Sequence, residues 1–508
     1  RINSSGLIEK YRENLALYSQ DFSNAVWNKS VSTFSGDTLT AGAGTTFKGI
    51  IQNQVTQGVQ NISFDVSYVN HQWVQIGFGT SGSDLAFANY DIQNKVLGSY
   101  SGVINNSIQD FGTSVRISIT INAIAKTSVY LIFVDSGSVS RAAATSSTGS
   151  FKLLKSQIET GLVATDYLNS TSVTAKAGVL IDLPRINYDA NGENGALLLE
   201  PSRQQLYPYS EYSGAWTKSD WTTTDNYAIS PEGVKNAFRA VSANNSGIMY
   251  MSGTGTTGQD NTLSVYAKSN TGANQKFRFF ANGNTTTSSD FIATTEWKRF
   301  DYPHNCTNVT AGIKGASSEL SDILFYGFQQ EASSYVSSYI PNHGTSGGVT
   351  RAADSCTGGG SAESINSVEG VLYGEISSLV NLNATPTTIS ISDGTSTNFT
   401  EFRYDSTLNN LQYYLVVGGV YHIATITNLT DITDFLKVAI KWKVNDFAVW
   451  INGVEVITAT GAVWSANTLD RVNFTEPNGT NPFRGNTKQV AVFNEALSDS
   501  ELATLTTL

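Results

Sequence analysis

The chain has 508 residues, a length typical of about three domains rather than one. Charged residues make up 14% of the sequence and aromatic residues 11%, and Gly, Ser, Thr and Asn abound, which suits strands and turns better than helices. The net charge of −11 argues against nucleic acid or an anionic membrane as a partner, because both are bound by dense Lys and Arg. We therefore predict an all-β protein with three β-sandwich or jelly-roll domains in tandem.

Features that would place the chain in other classes are missing from the sequence. There is no apolar run of about 18 residues and no basic-then-apolar leader, so we predict no membrane insertion. The first residue is Arg, from which we expect a fragment or a processed product. Cys306 and Cys356 are the only cysteines, and both a single bridge and two free thiols fit the sequence.

Residues 1–13 are predicted to be a connector, and residues 14–178 a first sandwich. Within this module, 62–69 and 115–121 alternate apolar and polar residues, which predicts strands with one face on a core and the other in water. The stretch 129–134 is apolar on both faces and predicts a central strand.

An internal repeat defines the second module. Residues 179–205 carry Asp, Asn and Gly turn chemistry and are predicted to form a linker hairpin between the modules. Residues 206–354 then repeat the first module, because the opening Leu-Tyr-Pro-Tyr-Ser phrase with its following Trp echoes Leu-Ala-Leu-Tyr-Ser near the start of the chain. The closing phrases also match, since Gln157-x-Glu159 and Gln329-x-Glu331 are each followed eight residues later by Tyr and an aliphatic residue.

The third domain is predicted over 368–508, after a Gly/Ser-rich linker at 355–367. Asn452-Gly453 between two apolar runs predicts a two-residue hairpin turn. A helix is predicted only at the end of the chain, where Ser498 provides an N-cap with Glu501 three residues later.

These phrases resemble known proteins. The stretch from KVAIKWKVNDFAVWINGVEV to VAVFNEALSDSELATL resembles concanavalin-like and laminin-G-like jelly rolls. The phrases LPRINYDANGENGALLLEPSR, LALYSQDFSNAVWNKS and YIPNHGTSGGVTRAAD resemble bacteriophage tail-fibre and virion-appendage proteins with carbohydrate-binding-module-like sandwiches. The resemblance implies an extracellular virion component that binds surface glycans, contacts other virion proteins and forms a homotrimer.

Aromatic residues in predicted loops and strand ends are the candidates for sugar contact, because a flat ring packs on a pyranose while polar neighbours bind its hydroxyls. The alternative for each is packing in a sandwich core. The candidates are Tyr68, His71, Trp73, Trp221, Tyr227, Tyr404 and Trp464.

No cofactor is predicted apart from a structural calcium ion, for which the resemblance suggests oxygen ligands from Asp393, Glu401 and Asp405. Solvated carboxylates are the alternative. For catalysis, the four scattered histidines form no zinc or triad spacing. Among the 42 acids a glycosidase pair stays open, and in the third domain Glu401 with Asp405 is the one pair with a fair spacing.

The leading hypothesis is therefore a non-enzymatic phage appendage protein that binds host or environmental glycans. A structural decoration protein with buried aromatics and a polysaccharide depolymerase are the alternatives.

Overall fold

A computed structural model describes residues 1–53, 57–79, 85–123, 128–180, 183–252, 255–382 and 384–508. The predicted all-β class is confirmed, with three sandwiches along the chain. Residues Ile8–Leu183 and Gln204–Thr350 form one compact unit that holds the first two modules. Arg1–Leu7, Pro184–Arg203 and Arg351–Leu508 form the other.

The first module is a sandwich of two sheets, with strand orders β10-β11-β6-β13-β4-β3 and β2-β5-β12-β7-β8-β9, while β1 pairs with β14. Its core lies between the sheets and contains Trp27, Phe64 and Phe133. The strands are β1 Arg12–Asn14, β2 Asn28–Ser30, β3 Ser32–Ser35, β4 Thr38–Ala41, β5 Gly49–Gln52, β6 Gly58–Tyr68, β7 Trp73–Phe78, β8 Ala86–Asp91, β9 Val96–Ser101, β10 Asn105–Asp110, β11 Val115–Ala123, β12 Val129–Phe133, β13 Ser150–Thr160 and β14 Ala175–Ala177.

Strand β6 differs from the prediction of one wet face, since all but its last two residues are buried. Asp65 on its outer side is covered by a bidentate ion pair with Arg116, at 2.6 and 3.1 Å. At the start of the strand, the Val59 amide donates to the His343 carbonyl of the second module at 2.6 Å. Packing of neighbouring chain on a sheet face thus overrides simple alternation.

Within the predicted hairpin at 179–205, Pro184–Arg203 belong to the C-terminal unit, where strand β16 pairs with the last strand of the C-terminal domain. Residues 181–182 lie outside the described residues. Arg185 fixes it there through ion pairs with Glu200, at 2.6 Å, and with Asp354. The strands of this region are β15 Ile186–Asn187, β16 Ala196–Leu199 and β17 Arg203–Gln205.

The second module repeats the strand order of the first. Its sheets run β26-β22-β28-β20-β19 and β18-β21-β27-β23-β24, with β25 also on β23. Strands equivalent to β9 and β10 are not found in its described residues. The elements are the 3-10 turns Ser213–Ala215 and Asn282–Asn284 and strands β18 Thr217–Ser219, β19 Trp221–Ala228, β20 Ala237–Ser242, β21 Ile248–Met251, β22 Asp260–Ser269, β23 Gln275–Ala281, β24 Thr286–Thr287, β25 Phe291–Ala293, β26 Lys298–Asn305, β27 Ala311–Gly315, β28 Asp322–Glu331 and β29 Val349–Arg351.

Matching hydrogen bonds explain the repeated closing phrase. The Gln157 side-chain oxygen accepts from the Leu168 amide at 2.8 Å, and the Gln329 oxygen accepts from the Ile340 amide at 2.7 Å. In each module the partner glutamate accepts from that glutamine and from a backbone amide six residues after the glutamate. In both copies, the Gln-x-Glu motif therefore joins the last strand by hydrogen bonds to the chain that follows it.

The C-terminal domain packs a seven-stranded sheet, β15-β16-β39-β30-β35-β36-β37, against a five-stranded sheet, β34-β33-β32-β31-β38. The predicted Asn452-Gly453 turn is confirmed, with φ of 49° and 83°. The predicted helix is also confirmed, and the Ser498 amide donates to Glu501 at 2.8 Å as its N-terminal cap. The elements are β30 Gly370–Ser378, β31 Thr387–Ser392, β32 Phe399–Tyr404, β33 Asn410–Val417, β34 Val420–Asn428, β35 Leu436–Trp442, β36 Phe447–Ile451, β37 Val454–Ala459, β38 Arg471–Asn473, β39 Gly485–Phe493 and α1 Asp499–Thr506.

Two further sequence predictions concern the state of the cysteines and the presence of membrane-spanning helices. Cys306 and Cys356 are both free thiols. Among the described residues, no helix has the length and hydropathy that crossing a bilayer requires.

Candidate functional site

The sequence candidates of the first module do not form one surface. Tyr68 ends β6 in one sheet and is exposed, whereas Trp73 begins β7 in the other sheet. His71 is buried between the Trp73 carbonyl and the Ser147 hydroxyl, each 2.8 Å from a ring nitrogen. Burial lowers the pKa of His71, so its neutral form is favoured inside the module. His71 is thus a structural residue, and only Tyr68 of the three is well exposed.

The connection 134–149 crosses the outer face of the sheet that contains β7 and β8. Gln75 donates to the Ser140 carbonyl at 3.0 Å and accepts from the Ala142 amide at 2.6 Å. Asn89 donates to the Val139 carbonyl at 2.8 Å. This connection, which we call the cover, closes the face that a ligand would need.

A tyrosine lies under the cover. Tyr130 of β12 pairs with Gly77 of β7, and a Cβ added at Gly77 would fall 1.9 Å from the tyrosine ring, so the ring lies directly over the glycine. Arg141 of the cover donates to the Tyr130 hydroxyl at 3.2 Å. Tyr130 is only 3% exposed and is closed to solvent.

The second module has a tyrosine on the corresponding outer face. Met249 of β21 points into the core, so its neighbour Tyr250 points outward. Tyr250 pairs with Gly312, where an added Cβ would lie 2.8 Å from the tyrosine Cβ. Phe280 pairs with Gly312 from the other side, and the two rings meet edge to face at 6.0 Å. The missing side chain at Gly312 therefore lets the aromatic pair lie close to the sheet.

The connection that covers the first module is short in the second, where only residues 316–321 join β27 to β28. Tyr250 is half-buried rather than closed. Beside it on the outer face lie Arg278 and Lys314, which are direct cross-strand partners. Lys314 Nζ donates to the Asn284 side chain at 2.9 Å. We call Tyr250, Arg278, Lys314 and Asn284 the Tyr250 face.

The polar groups of this face could bind sugar hydroxyls. Arg278 donates to the Gly315 and Asn245 carbonyls at 2.7 and 2.9 Å, which fixes its guanidinium on the sheet. Burial, and then the charge of Arg278, lower the pKa of Lys314. A half-exposed ring flanked by fixed nitrogen donors has the composition of a sugar-binding surface.

The sequence candidates of the second module lie away from the Tyr250 face. Trp221 is buried in the core, contrary to its prediction as a loop residue, because β19 begins there and turns the side chain inward. Tyr227 lies in the other sheet and is exposed, with the Arg239 guanidinium 5.3 Å from its ring centroid. Tyr227 stays an isolated aromatic residue.

Both aromatic candidates of the C-terminal domain are buried, contrary to the expectation of a sugar contact. Tyr404 points into the core because it alternates with Arg403 along β32, and its hydroxyl donates to the Ile376 carbonyl at 3.2 Å. Trp464 is held in the core by a bond from its indole nitrogen to the Val416 carbonyl at 2.9 Å. For Trp464 the alternative of core packing therefore holds.

The outer side of the same five-stranded sheet has aromatic residues too. Tyr414 meets the exposed Tyr421 edge to face at 6.1 Å. Arg403 lies over the Tyr414 ring at 4.8 Å and is bonded to Glu476 and Gln412 at 2.6 and 2.8 Å. These polar groups already satisfy one another, so a ligand would have to replace bonds within the protein.

The predicted calcium set is not a single site. Asp393 and Asp405 follow opposite ends of the paired strands β31 and β32, which separates them by about 20 Å at the rise of a strand. Glu401 lies between them with its side chain 3% exposed. In the part of the chain that the structure describes, no group of three or more His, Cys, Asp or Glu residues is placed to hold a metal ion.

The carboxylate pair considered for hydrolysis also fails on geometry. Glu401 and Asp405 are four residues apart on one chain, about 13 Å along a strand, whereas glycosidase carboxyl groups stand roughly 5 to 10 Å apart. Burial raises the pKa of Glu401 to about 8, with Arg403 lowering it and Glu476 raising it further. Its second oxygen is buried without a hydrogen-bond partner in the described structure.

Comparisons with known proteins identify no family, since no protein-family model and no curated protein matches the chain. Among solved structures, the CBM40 domain of Ruminococcus gnavus IT-sialidase bound to alpha2,3 sialyllactose is 16% identical, with a TM-score of 0.24, and the match covers 30% of this chain and 95% of that one. The tandem CBM22-1-CBM22-2 domain of Paenibacillus barcinonensis Xyn10C is 11% identical over 63% of this chain and 98% of that one, with a TM-score of 0.21. Mouse laminin alpha1 domains LG4-5 are 7% identical over 60% and 96%, with a TM-score of 0.20. At these TM-scores the likenesses carry no argument about what this chain binds.

Proposed function

We propose that this protein is a non-enzymatic glycan-binding protein and that the Tyr250 face of its second module makes the contact. The observation that supports this most directly is the half-buried ring of Tyr250, which meets the buried ring of Phe280 edge to face on the outer face of its sheet. Arg278, Lys314 and Asn284 supply donors and an acceptor within the same face. The ring packs on the apolar side of a pyranose, and these groups bind its hydroxyls.

The wider setting that we propose is a bacteriophage tail fibre or appendage, with extracellular exposure, contacts to other virion proteins and a homotrimeric assembly. Its support is the resemblance of the connecting phrases around 183–203 and 339–354 to such proteins. Repetition of one weak site on a particle would raise the avidity for a surface without any new contact. No cofactor is part of this proposal.

The absence of enzymatic activity is proposed on the state of Glu401. Its side chain is almost completely buried and lies too far along the strand from Asp405 for a hydrolytic pair. A depolymerase would release reducing ends from polysaccharide, and the Glu401→Gln variant would abolish that release.

A glycan array of the full chain tests the proposed binding. We expect the wild type to bind a subset of glycans and Tyr250→Ala to lose up to about tenfold in affinity, because a specific aromatic contact is worth about 0.5–1.5 kcal/mol. Tyr100→Ala is the matched control, since Tyr100 is 59% exposed and belongs to β9 of the first module. Binding that is equally strong in the Tyr250→Ala variant would contradict the assignment, and no binding at any valency would favour a decoration protein.

A further inference from the structure

The charges on the Tyr250 face do not balance. Arg278 lies 3.7 Å from Asp290, and Lys276 on the same strand lies 3.6 Å from Glu319. Lys314 differs from both, because its described polar contact is the neutral side chain of Asn284. One positive charge on the face is therefore left without a carboxylate partner among the described residues.

The position of Lys314 makes this imbalance costly. It stands directly opposite Arg278 in the β23–β27 register, and like charges at such a position repel. Asp290 balances only one of these two cations, because it lies 3.7 Å from Arg278, so one net positive charge remains at Lys314. The lowered pKa of Lys314, caused by burial and by Arg278, agrees with a cation in an unfavourable place.

We infer that the Tyr250 face binds acidic sugars, with a carboxylate or sulfate group held between Lys314 and Arg278 while the sugar ring packs on Tyr250. An anion there would remove the repulsion and would form charge-assisted hydrogen bonds, which are stronger than neutral ones. The inference rests on the proposed function and names the ligand class of the same site. It also explains how a chain with a net charge of −11 can attract an anion, since the attraction is local to one face.

A comparison of acidic oligosaccharides with their own methyl esters separates the contribution of charge to the affinity from that of ring stacking. The full chain is measured on an array that carries uronic-acid and sialic-acid oligosaccharides beside their esters. We expect the wild type to bind the acids about tenfold more tightly than the esters, as a charge-assisted hydrogen bond predicts, and this preference to shrink as salt rises. The salt dependence is measured on the wild-type chain, so this test can be made even where a variant folds poorly.

Single substitutions show which residue causes the preference for acidic sugars over their esters. Lys314→Met should lower the affinity for the acids to that for the esters, and Tyr250→Ala should weaken both. Lys298→Met is the matched control, because it removes the same charge from an exposed position in the other sheet of the module. Equal affinity for acids and esters would overturn the inference and leave the proposed function standing. If the wild type bound neither the acids nor the esters, both the inference and the proposed function would be overturned.

Discussion

Tyr130 of the first module and Tyr250 of the second each pair with a glycine of the neighbouring strand, on the outer faces of sheets with the same strand order. The first is 3% exposed under the cover at 134–149, and the second is half-buried on a face where the corresponding connection consists of residues 316–321. An outward tyrosine is thus closed to solvent in the first copy and partly exposed in the second, although the two stand on different strands of the repeat, β12 and β21. The two copies differ in the connection after the equivalent strands β12 and β27, and we propose that its length governs how open the outer face is to a ligand.

Substitution of Gly77 should have the largest effect on this comparison. In Gly77→Ala the new Cβ meets the Tyr130 ring, which cannot move away because Arg141 and the cover hold it. We expect a loss of about 3 kcal/mol in the free energy of unfolding, at the upper end of the cost of overpacking, measured by urea denaturation.

Gly347→Ala is the control for Gly77→Ala. Gly347 belongs to the same compact unit, and nothing lies within 4 Å of a Cβ built there. If both substitutions cost the same, the tyrosine over Gly77 is not confined by the cover.

A smaller effect is expected from releasing the cover itself. Gln75→Ala leaves the Ala142 amide and the Ser140 carbonyl without their partner, and a lost bond of this kind costs about 2 kcal/mol. The measurement is urea denaturation together with limited proteolysis, in which cleavage within 134–149 should become faster.

The control for the cover is Gln109→Ala, an exposed glutamine on β10 of the same module. Glycan binding by the second module should be unchanged in Gln75→Ala. Unaltered stability with unaltered proteolysis would mean that the cover does not depend on Gln75.

The sequence predicts turns, helix caps and short motifs well in this chain, because each of them is determined by residues that are close in the sequence. The Asn452-Gly453 turn, the Ser498 cap and the repeated Gln-x-Glu phrase each depend on residues close together in the sequence, and each is found as expected. The strand patterns likewise identify most strands, although they do not show that the hairpin at 179–205 joins the C-terminal sheet, since that pairing is long-range.

The candidate site was harder to predict because it depends on what covers a sheet face. Tyr404 and Tyr414 are equally plausible in the sequence, and only the strand parity places Tyr404 in the core and Tyr414 outside. Tyr250 was missed altogether, although its alternation with Met249 and the short connection at 316–321 are both readable. Aligning the two copies along the repeat would have exposed the lost cover.

The outer face of the five-stranded sheet in the C-terminal domain is a third case to compare with these two. Among the described residues, no long connection covers that face and its cation has a carboxylate partner. Its Arg403 is bonded to Glu476, and the nearby Glu401 carries no hydrogen bond at its second oxygen in the described structure. Burial is the main cause that raises the pKa of Glu401 from 4.5 to about 8. The folded state therefore holds a proton that the unfolded state has released throughout the interval between these two values.

The stability of this domain should consequently fall as pH rises from 4.5 to about 8 and should level off above that, by about 1.4 kcal/mol for each pH unit from this group. Glu401→Gln imitates the protonated carboxyl and should flatten the decline and stabilise the domain at neutral pH. Thermal unfolding of variant and wild type across the interval measures the difference, with the exposed Glu495→Gln as control. Parallel curves for Glu401→Gln and wild type would mean that Glu401 is already ionised in the folded domain, with Arg403 shared between two carboxylates.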